Sequence, residues 1–372
     1  MPFATSLTPL QQSFARFDLS FSQDAMQNYL TAVYHSSGLR AVLAALWEWE
    51  HRVRYFNLDS LQENRRYHYF DAATQITFRA QVNFARHRYS NAAPPVPRNT
   101  GLHCAICYDN LSQPGKEKLR VFRFALHESR EYFVQVTPFP LFEKHFVVIA
   151  MAQVPMQMSA QSLEDLTRFV ELAPEYVGCS NSDVEWAGAS ILAHHHYQVF
   201  ERLDLPIMHA HWAAPFYYED ENLALGLLDF PCACCKVISR SRARWLAACG
   251  EIIAAWKQKA PGKNTCNLVV TKTGEFYTCY ILFRNPAFRT APELLAIKTE
   301  GVGVIEVAGE GIYPVPSGEH AAAVWEKIEH NGLHVIKTLI ASNNPVPRAN
   351  FDALFELVRR AVIASSGLHA AS

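Results

Sequence analysis

The stretch Gly188-Ala189-Ser190-Ile191-Leu192-Ala193-His194-His195-His196-Tyr197-Gln198 decides the reading of this chain. Its central residues alternate in character, so residues 191–200 read as a β-strand, in which successive side chains point to opposite faces. His194, His196, Gln198 and Phe200 then share one face, and His195, Tyr197 and Val199 take the other. Two imidazoles and an amide line one wall. Neutral imidazole is a capable nucleophile near pH 7, and attack of a ring nitrogen on phosphorus gives a nucleotidyl-histidine, splitting a transfer into two displacements. Such a nucleophile needs its other ring nitrogen held as a donor, usually by a backbone carbonyl, and needs donors on the phosphoryl oxygens. Gln198 is placed to be one donor. An amide cannot serve as a general acid, which suits an intermediate kept for a second acceptor rather than hydrolysed. Histidine runs also arise as metal sites or as partly buried polar residues, so the surrounding sequence must decide.

Composition narrows the choice. A chain of 372 residues, 49% hydrophobic and 19% charged, can bury a sizeable core and is long enough for two domains. No apolar run approaches the roughly 20 residues that span a bilayer, and Met1-Pro2-Phe3-Ala4-Thr5 lacks the order of a secretory signal. A cytoplasmic protein with no membrane partner is expected. Nine cysteines, odd in number and unevenly spaced, read as thiols or ligands rather than bridges. The net charge of -1, from 34 basic and 35 acidic residues, supplies no global field for a nucleic acid, so any phosphate must be held by local groups. Sixteen histidines in a neutral chain direct the search to metal and proton-transfer sites.

Outward from the histidine run, the periodicity predicts an α+β chain. Residues 1–70 read as a helical extension, clearest over Gly38 to Phe56, where apolar residues recur at spacings of three and four. From Gln75 the pattern becomes strand-like, with Ile76, Phe78, Ala80, Val82 and Phe84 on one face. Strands are predicted at Leu119 to Leu126, Tyr132 to Thr137 and His145 to Met151, with a helix over Ser162 to Leu172. Beyond Pro231 the order repeats loosely. A helix over Ser239 to Lys257 precedes strands near Cys266 to Thr271, Tyr277 to Phe283 and Val302 to Val307, then helices over Gly318 to Asn344 and Asn350 to Ile363. The organisation expected is residues 1–70 as extension, 71–210 as a catalytic α+β domain and 211–372 as a second.

Four motifs in order carry a family resemblance. The His194-His195-His196-Tyr197-Gln198 run is similar to the His-x-His-x-Gln signature of the transferase and phosphorylase branch of the histidine-triad superfamily. That branch holds the galactose-1-phosphate uridylyltransferases, the diadenosine tetraphosphate phosphorylases and the GDP-galactose phosphorylases. Upstream, Gln81 to Arg86, Cys104 to Asn110 and Thr137 to His145 resemble that branch's Gln-x-Asn-Pro-x-Arg, Cys-x-x-Cys-x-x-Asn and Asn-Pro-Phe-Pro-x-x-x-x-His strings. About 120 residues are covered. The resemblance implies two consecutive histidine-triad-like half-barrel domains and a homodimer. It makes His196 the residue that becomes nucleotidylated and Gln198 a phosphate contact. The implied substrates are a nucleotide sugar or other nucleotide, with a sugar 1-phosphate or inorganic phosphate as acceptor. Thr137 and Phe84 depart from the pattern, and no asparagine stands shortly before the histidine run.

Cys104 and Cys107 form a Cys-x-x-Cys pair whose loop lets two thiolates meet one tetrahedral ion, usually zinc. The resemblance offers His145 and His194 as the completing ligands of a closed structural site. Asn83 and Arg86 are candidate nucleotide-binding residues, an arginine there being able to fork onto a phosphate. Ser190, after Gly188 and Ala189, is a third, where backbone could close on phosphate. Cys232, Cys234 and Cys235 read as buried small residues, and His209 and His211 as core or surface histidines. No Gly-rich phosphate loop or dinucleotide fingerprint occurs, so ATPase and dehydrogenase readings lack support. Two other classes compete with nucleotidyl transfer. One is a non-catalytic zinc-stabilised nucleotide-binding protein, which retention of both His196 and Gln198 opposes. The other is a metal-dependent hydrolase, which lacks a nearby carboxylate, the closest being Glu185 and Glu201.

Overall fold

The computed structural model describes residues 21–56, 58–84, 104, 106–188, 191–298 and 301–366. Its centre is a ten-stranded sheet built from β3 (Phe122–His127), β4 (Arg130–Val136), β5 (His145–Ala150), β6 (Tyr176–Ser180) and β7 (His196–Glu201), continued by β8 (Trp212–Glu219), β9 (Leu223–Leu228), β10 (Cys234–Ser239), β11 (Thr265–Thr273) and β12 (Phe276–Arg284). The spatial order is β3-β4-β5-β7-β6-β11-β12-β10-β9-β8, all neighbours antiparallel. The order mirrors itself about the β6–β11 seam. In each half a hairpin-linked trio ends in a strand, then a helix, then two paired strands that return to the seam. The fold is α+β, as the periodicity predicts. The two strand sets share one sheet, joined where Val269 and Val270 pair with Cys179 and Gly178.

Alternation along these strands sorts the core into two layers. Tyr197, Val199, Val237, Leu268, Val270 and Ile281 face the helices α1 (Gln23–Arg52), α2 (Ala160–Leu172), α3 (Arg242–Lys259) and α4 (Phe351–Ser366). Helix α1 starts at Ser22, whose side chain accepts from Ala25 N at 3.2 Å, and Ser241 caps α3 in the same way through Arg244 N at 3.4 Å. Gly38 kinks α1 with φ 78°. The helix is part of the core: Leu30, Val42, Leu46 and Trp49 are buried with the strands.

The opposite face of the sheet, with Val177, Cys179, Phe200, Val269 and Leu282, is covered by a second, three-stranded sheet. Its members are β1 (Arg65–Asp71), β2 (Ile76–Val82) and β13 (Glu310–Tyr313), with β13 parallel to β2. Ile76, Phe78, Ala80 and Val82 point inward, as their alternation requires. Burying a side chain of this size is worth about 1.5–3 kcal/mol, so the layer contact holds the small sheet firmly.

Several expectations are corrected. Residues Arg65–Asp71 are a strand rather than the end of a helical extension, paired with β2 through the turn at residues 72–75. Val302 to Val307 is not a strand. Gly303 N donates to Glu306 Oε2, and this local cap winds Val304–Val307 into one helical turn. The predicted helix over 318–344 is two, Ala321–His330 and Gly332–Ser342, interrupted at Asn331. The histidine strand starts at His196, not at residue 191. Among the described residues no helix is long and apolar enough to cross a membrane.

Candidate active site

Strand β7 runs between β5 and β6, with His196 opposite Ile149, and Gln198 opposite both Val147 and Cys179. The face division expected from alternation holds. On the helix side His195 Nε2 meets Tyr197 Oη, and the Tyr197 hydroxyl donates to Asp165 Oδ2 at 2.9 Å, where Tyr132 also donates at 2.6 Å. These residues anchor the strand from behind.

On the other face the polar groups form a chain. His196 Nδ1 lies 2.8 Å from the carbonyl oxygen of His194. A carbonyl only accepts, so Nδ1 carries the proton and Nε2 keeps its lone pair. That lone pair meets Asn181 Nδ2 at 3.3 Å. Gln198 Nε2 donates to Asn181 Oδ1 at 3.2 Å, and its Oε1 faces His145 Nε2 at 3.1 Å. His145 completes the chain by accepting from Leu141 N at Nδ1, 3.2 Å away, with its ring stacked on Phe200 at 4.2 Å between centroids. Burial pushes the His145 pKa down to about 3, and burial likewise lowers that of His196. Both rings are neutral at pH 7. The arrangement is a buried neutral imidazole whose Nε2 lone pair faces the Asn181 amide, which Gln198 in turn holds.

Asn181 is the residue sequence reasoning missed. It follows β6, fifteen positions before His196, and the antiparallel β6–β7 pairing returns it to that imidazole. The Cys179-Ser180-Asn181 string was visible, yet nothing local revealed that the chain folds back over so long a connection. The second half of the sheet holds this turn in place. Ser180 Oγ accepts from Leu268 N at 2.8 Å, and Asn267 Nδ2 donates to Ser180 O at 3.2 Å. Asn267 Oδ1 in turn accepts from Nη1 of the fully buried Arg284 at 2.6 Å, and Arg284 Nη2 reaches Val302 O at 3.0 Å.

Cys104, Cys107 and His194 meet at the start of the histidine strand, the atoms each could offer a metal all within 4.8 Å of one another. His194 Nδ1 lies 3.0 Å from Cys104 Sγ and 3.3 Å from Cys107 Sγ, while its Nε2 donates to Ala150 O at 2.7 Å. The tautomer is the one a metal needs, with the outer nitrogen held by a carbonyl. The separations are a few tenths of an ångström short of the ~3.6 Å that ligands subtend at a tetrahedral zinc. Burial and the adjacent Cys104 sulfur push the Cys107 thiol up to about 12, a crowding that a divalent cation relieves by stabilising thiolate. The donor set fits a metal ion. His145 is not in it, because both its nitrogens are engaged by Gln198 and Leu141.

Of the nucleotide-binding candidates, Asn83 is buried just past β2, its N–H donating to Tyr313 O at 2.9 Å. Arg86 and Ser190 lie outside the described residues. Cys232, Cys234 and Cys235 are buried, as expected. His209 is on the surface, its Nε2 2.7 Å from Asp204 Oδ1.

With this geometry in place, the likenesses to known proteins take on meaning. A family model described as a domain of unknown function, DUF4922, matches residues 45–201, ending with the last residue of β7. The galactose-1-phosphate uridylyltransferase of Clostridium acetobutylicum is 23% identical over 256 residues, 60% of this chain and 50% of that protein. The enzyme of the same name from Bifidobacterium longum is 29% identical over 266 residues, 63% and 50%. The chain spans about half the length of these curated relatives. Among solved structures, yeast Ap4A phosphorylase in complex with Ap4A superposes with a TM-score of 0.55 at 12% identity, covering 82% of this chain and 96% of that one. The likeness extends through both halves of the sheet, so the fold is shared as a whole. In sequence the chain is similar to the galactose-1-phosphate uridylyltransferases, and in fold to the Ap4A phosphorylase.

Proposed function

We propose that this protein is a nucleotidyltransferase that moves a nucleoside monophosphate from a nucleotide sugar to a sugar 1-phosphate through a covalent intermediate on His196. The observation that carries the reading is the pairing of His196 Nδ1 with the His194 carbonyl while Nε2 faces Asn181. A histidine so held has one available lone pair and a fixed direction of attack.

In the first displacement His196 Nε2 attacks the α-phosphorus, a P–N bond forms, and the sugar phosphate leaves with the electrons of the broken P–O bond. The Nδ1 proton stays on the ring, where the His194 carbonyl stabilises the positive charge that develops. The amides of Asn181 and Gln198 turn their N–H groups to the phosphoryl oxygens. Neither can donate a proton to a leaving group, and among the described residues no acidic side chain hydrogen-bonds to the pair, so the intermediate waits for an acceptor. Asn83, Arg86 and Ser190 bind the nucleotide. Cys104, Cys107 and His194 would hold a structural zinc ion, and these three residues tie the loop before β3 to the start of β7, next to the His194 carbonyl. Charge neutralisation by a bound cation is what the metal contributes there.

Incubation with a nucleotide sugar labelled at the α-phosphate tests the reading. An acid-labile, base-stable adduct is expected on the wild type and not on His196→Ala. Absence of label from every donor, or equal labelling of His196→Ala, overturns it. Discharge of the adduct by inorganic phosphate in preference to a sugar phosphate identifies a phosphorylase instead.

A further inference from the structure

The peptide that joins His194 to His195 is planar, so its carbonyl and its N–H turn together. The carbonyl oxygen is the one that accepts from His196 Nδ1, and the N–H donates to Val154 O at 2.7 Å. Whatever holds Val154 therefore sets the direction in which the His194 carbonyl points. The segment 154–157 is tied to the histidine run at three further places: Met156 N donates to Leu192 O at 2.9 Å, His196 N to Met156 Sδ at 3.3 Å, and Gln157 N to His195 Nδ1 at 3.4 Å. The last of these depends on a proton. It exists only while His195 Nδ1 is bare.

That proton is placed from the helix side of the sheet. Asp165, a buried residue of α2, presents Oδ2 to the hydroxyls of Tyr132 and Tyr197, and Oδ1 to Arg130 Nη2 at 2.9 Å and Gln161 Nε2 at 3.4 Å. Tyr197 has one hydroxyl proton, and it points at Asp165, so Tyr197 Oη can only accept from His195 Nε2. Burial lowers the His195 pKa to about 4, so the ring is neutral at pH 7 and carries a single proton. With that proton on Nε2, Nδ1 keeps the lone pair that the Gln157 N–H meets. A carboxylate behind the sheet thus reaches the His194 carbonyl through Tyr197, His195 and the 154–157 segment.

We infer that Asp165 is a positioning residue for His196: it fixes the tautomer of His195, and thereby the peptide whose carbonyl holds the Nδ1 proton of His196. An asparagine at this position would keep the shape and reverse the relay. Arg130 can only donate, so the amide oxygen must take the place of Oδ1 and the amide nitrogen the place of Oδ2. Tyr197 Oη then accepts from that nitrogen, its own proton turns to His195 Nε2, and His195 is left with Nδ1–H facing the Gln157 N–H. Two donors meet, the bond is lost, and the 154–157 segment no longer fixes the His194 carbonyl. That His196 is a nucleophile rests on the transfer reading given above, whereas the proton positions do not.

NMR of protein labelled with heavy nitrogen in its histidines, recorded at pH 7, reads the tautomer of each ring. The signals of His195 and His196 are identified by their loss in His195→Gln and His196→Ala. The wild type is expected to show His195 as Nε2–H and His196 as Nδ1–H. Asp165→Asn is expected to turn His195 to Nδ1–H and to move the His196 signals toward an average of both tautomers. Adduct formation at saturating donor should slow by about 10–100-fold, with half-saturation unchanged within about twofold. Tyr197→Phe, which cuts the relay at its middle, is expected to leave His195 as a mixture of tautomers and to slow the same step. It decides the question if Asp165→Asn does not fold. The inference is overturned by a wild-type His195 protonated at Nδ1, or by a variant that changes the His195 tautomer yet forms adduct at the wild-type rate. A variant that loses the rate with the tautomer unchanged overturns it too, because that effect is merely structural. If the wild type never forms an adduct, the transfer reading fails and the His196 signals decide alone: their movement in Asp165→Asn supports the positioning role, and unmoved signals end it.

Discussion

The carbonyl oxygen of His194 accepts from His196 Nδ1 at 2.8 Å, while the His194 ring meets the sulfurs of Cys104 and Cys107 at 3.0 and 3.3 Å. One residue thus joins the cysteine–histidine cluster to the tautomer of His196. Anything that displaces His194 also releases the proton position on His196.

From this link, Cys104→Ser is expected to lower bound zinc from about one ion per chain to near none and to slow adduct formation, although neither cysteine touches substrate. Elemental analysis beside single-turnover labelling checks it. Zinc content unchanged in the variant would remove Cys104 from the site.

Gln198 Nε2 donates to Asn181 Oδ1 at 3.2 Å, and Asn181 Nδ2 lies 3.3 Å from His196 Nε2. Asn181→Ala should cost about 10²–10³ in turnover with the fold intact, the usual penalty for deleting one donor from a phosphoryl or oxyanion pocket. His196→Ala should cost on the order of 10⁴ or more. Steady-state kinetics on both variants, with melting curves as control, decide the ranking.

Arg284 is fully buried and relies on Asn267, Val302 and Asn343 for its hydrogen bonds. Asn267→Ala leaves a buried guanidinium short of an acceptor and should destabilise the protein by about 1.5–3 kcal/mol. It should also slow turnover, because Asn267 steadies Ser180 and so Asn181. Urea unfolding and kinetics on the same preparation test both effects, and a destabilised variant with full turnover would show that Asn181 needs no such support.

Arg244 grips Asp220 with both terminal nitrogens, at 3.0 and 2.8 Å, and this bond holds the Asp220 carboxyl well below the ordinary aspartate range. A carboxyl whose folded pKa is depressed stabilises the fold above its unfolded pKa, about 3.9, and that contribution drains away as the pH falls below it. Asp220→Asn should therefore cost stability at pH 7 and lose less between pH 5 and pH 3 than the wild type does. Parallel acid titrations followed by tryptophan fluorescence measure the difference.

Legibility in the sequence followed the range of the interactions. The alternation at 194–200 assigned His196 and Gln198 to one face and Tyr197 to the other, because strand geometry is local and has period two. The strand at 145–150 was legible as a short continuous run of apolar, β-branched residues, buried on both faces. By contrast, β1 was hidden by its mostly polar, exposed outer face, which carries no strand signal of its own. The Val304–Val307 turn was misread because four apolar residues fit either period, and a glycine–glutamate cap settled the matter.

By itself the sequence determined the α+β class, the face that His196 and Gln198 share and the pairing of Cys104 with Cys107, all products of spacing within a few residues. Only the tertiary structure decided that Asn181 meets His196, that His145 serves Gln198 rather than the cysteines, and that two halves share one sheet. Those outcomes depend on which strands lie side by side. Strand order is fixed by burying both faces of the sheet at once, and no short window of residues contains that condition.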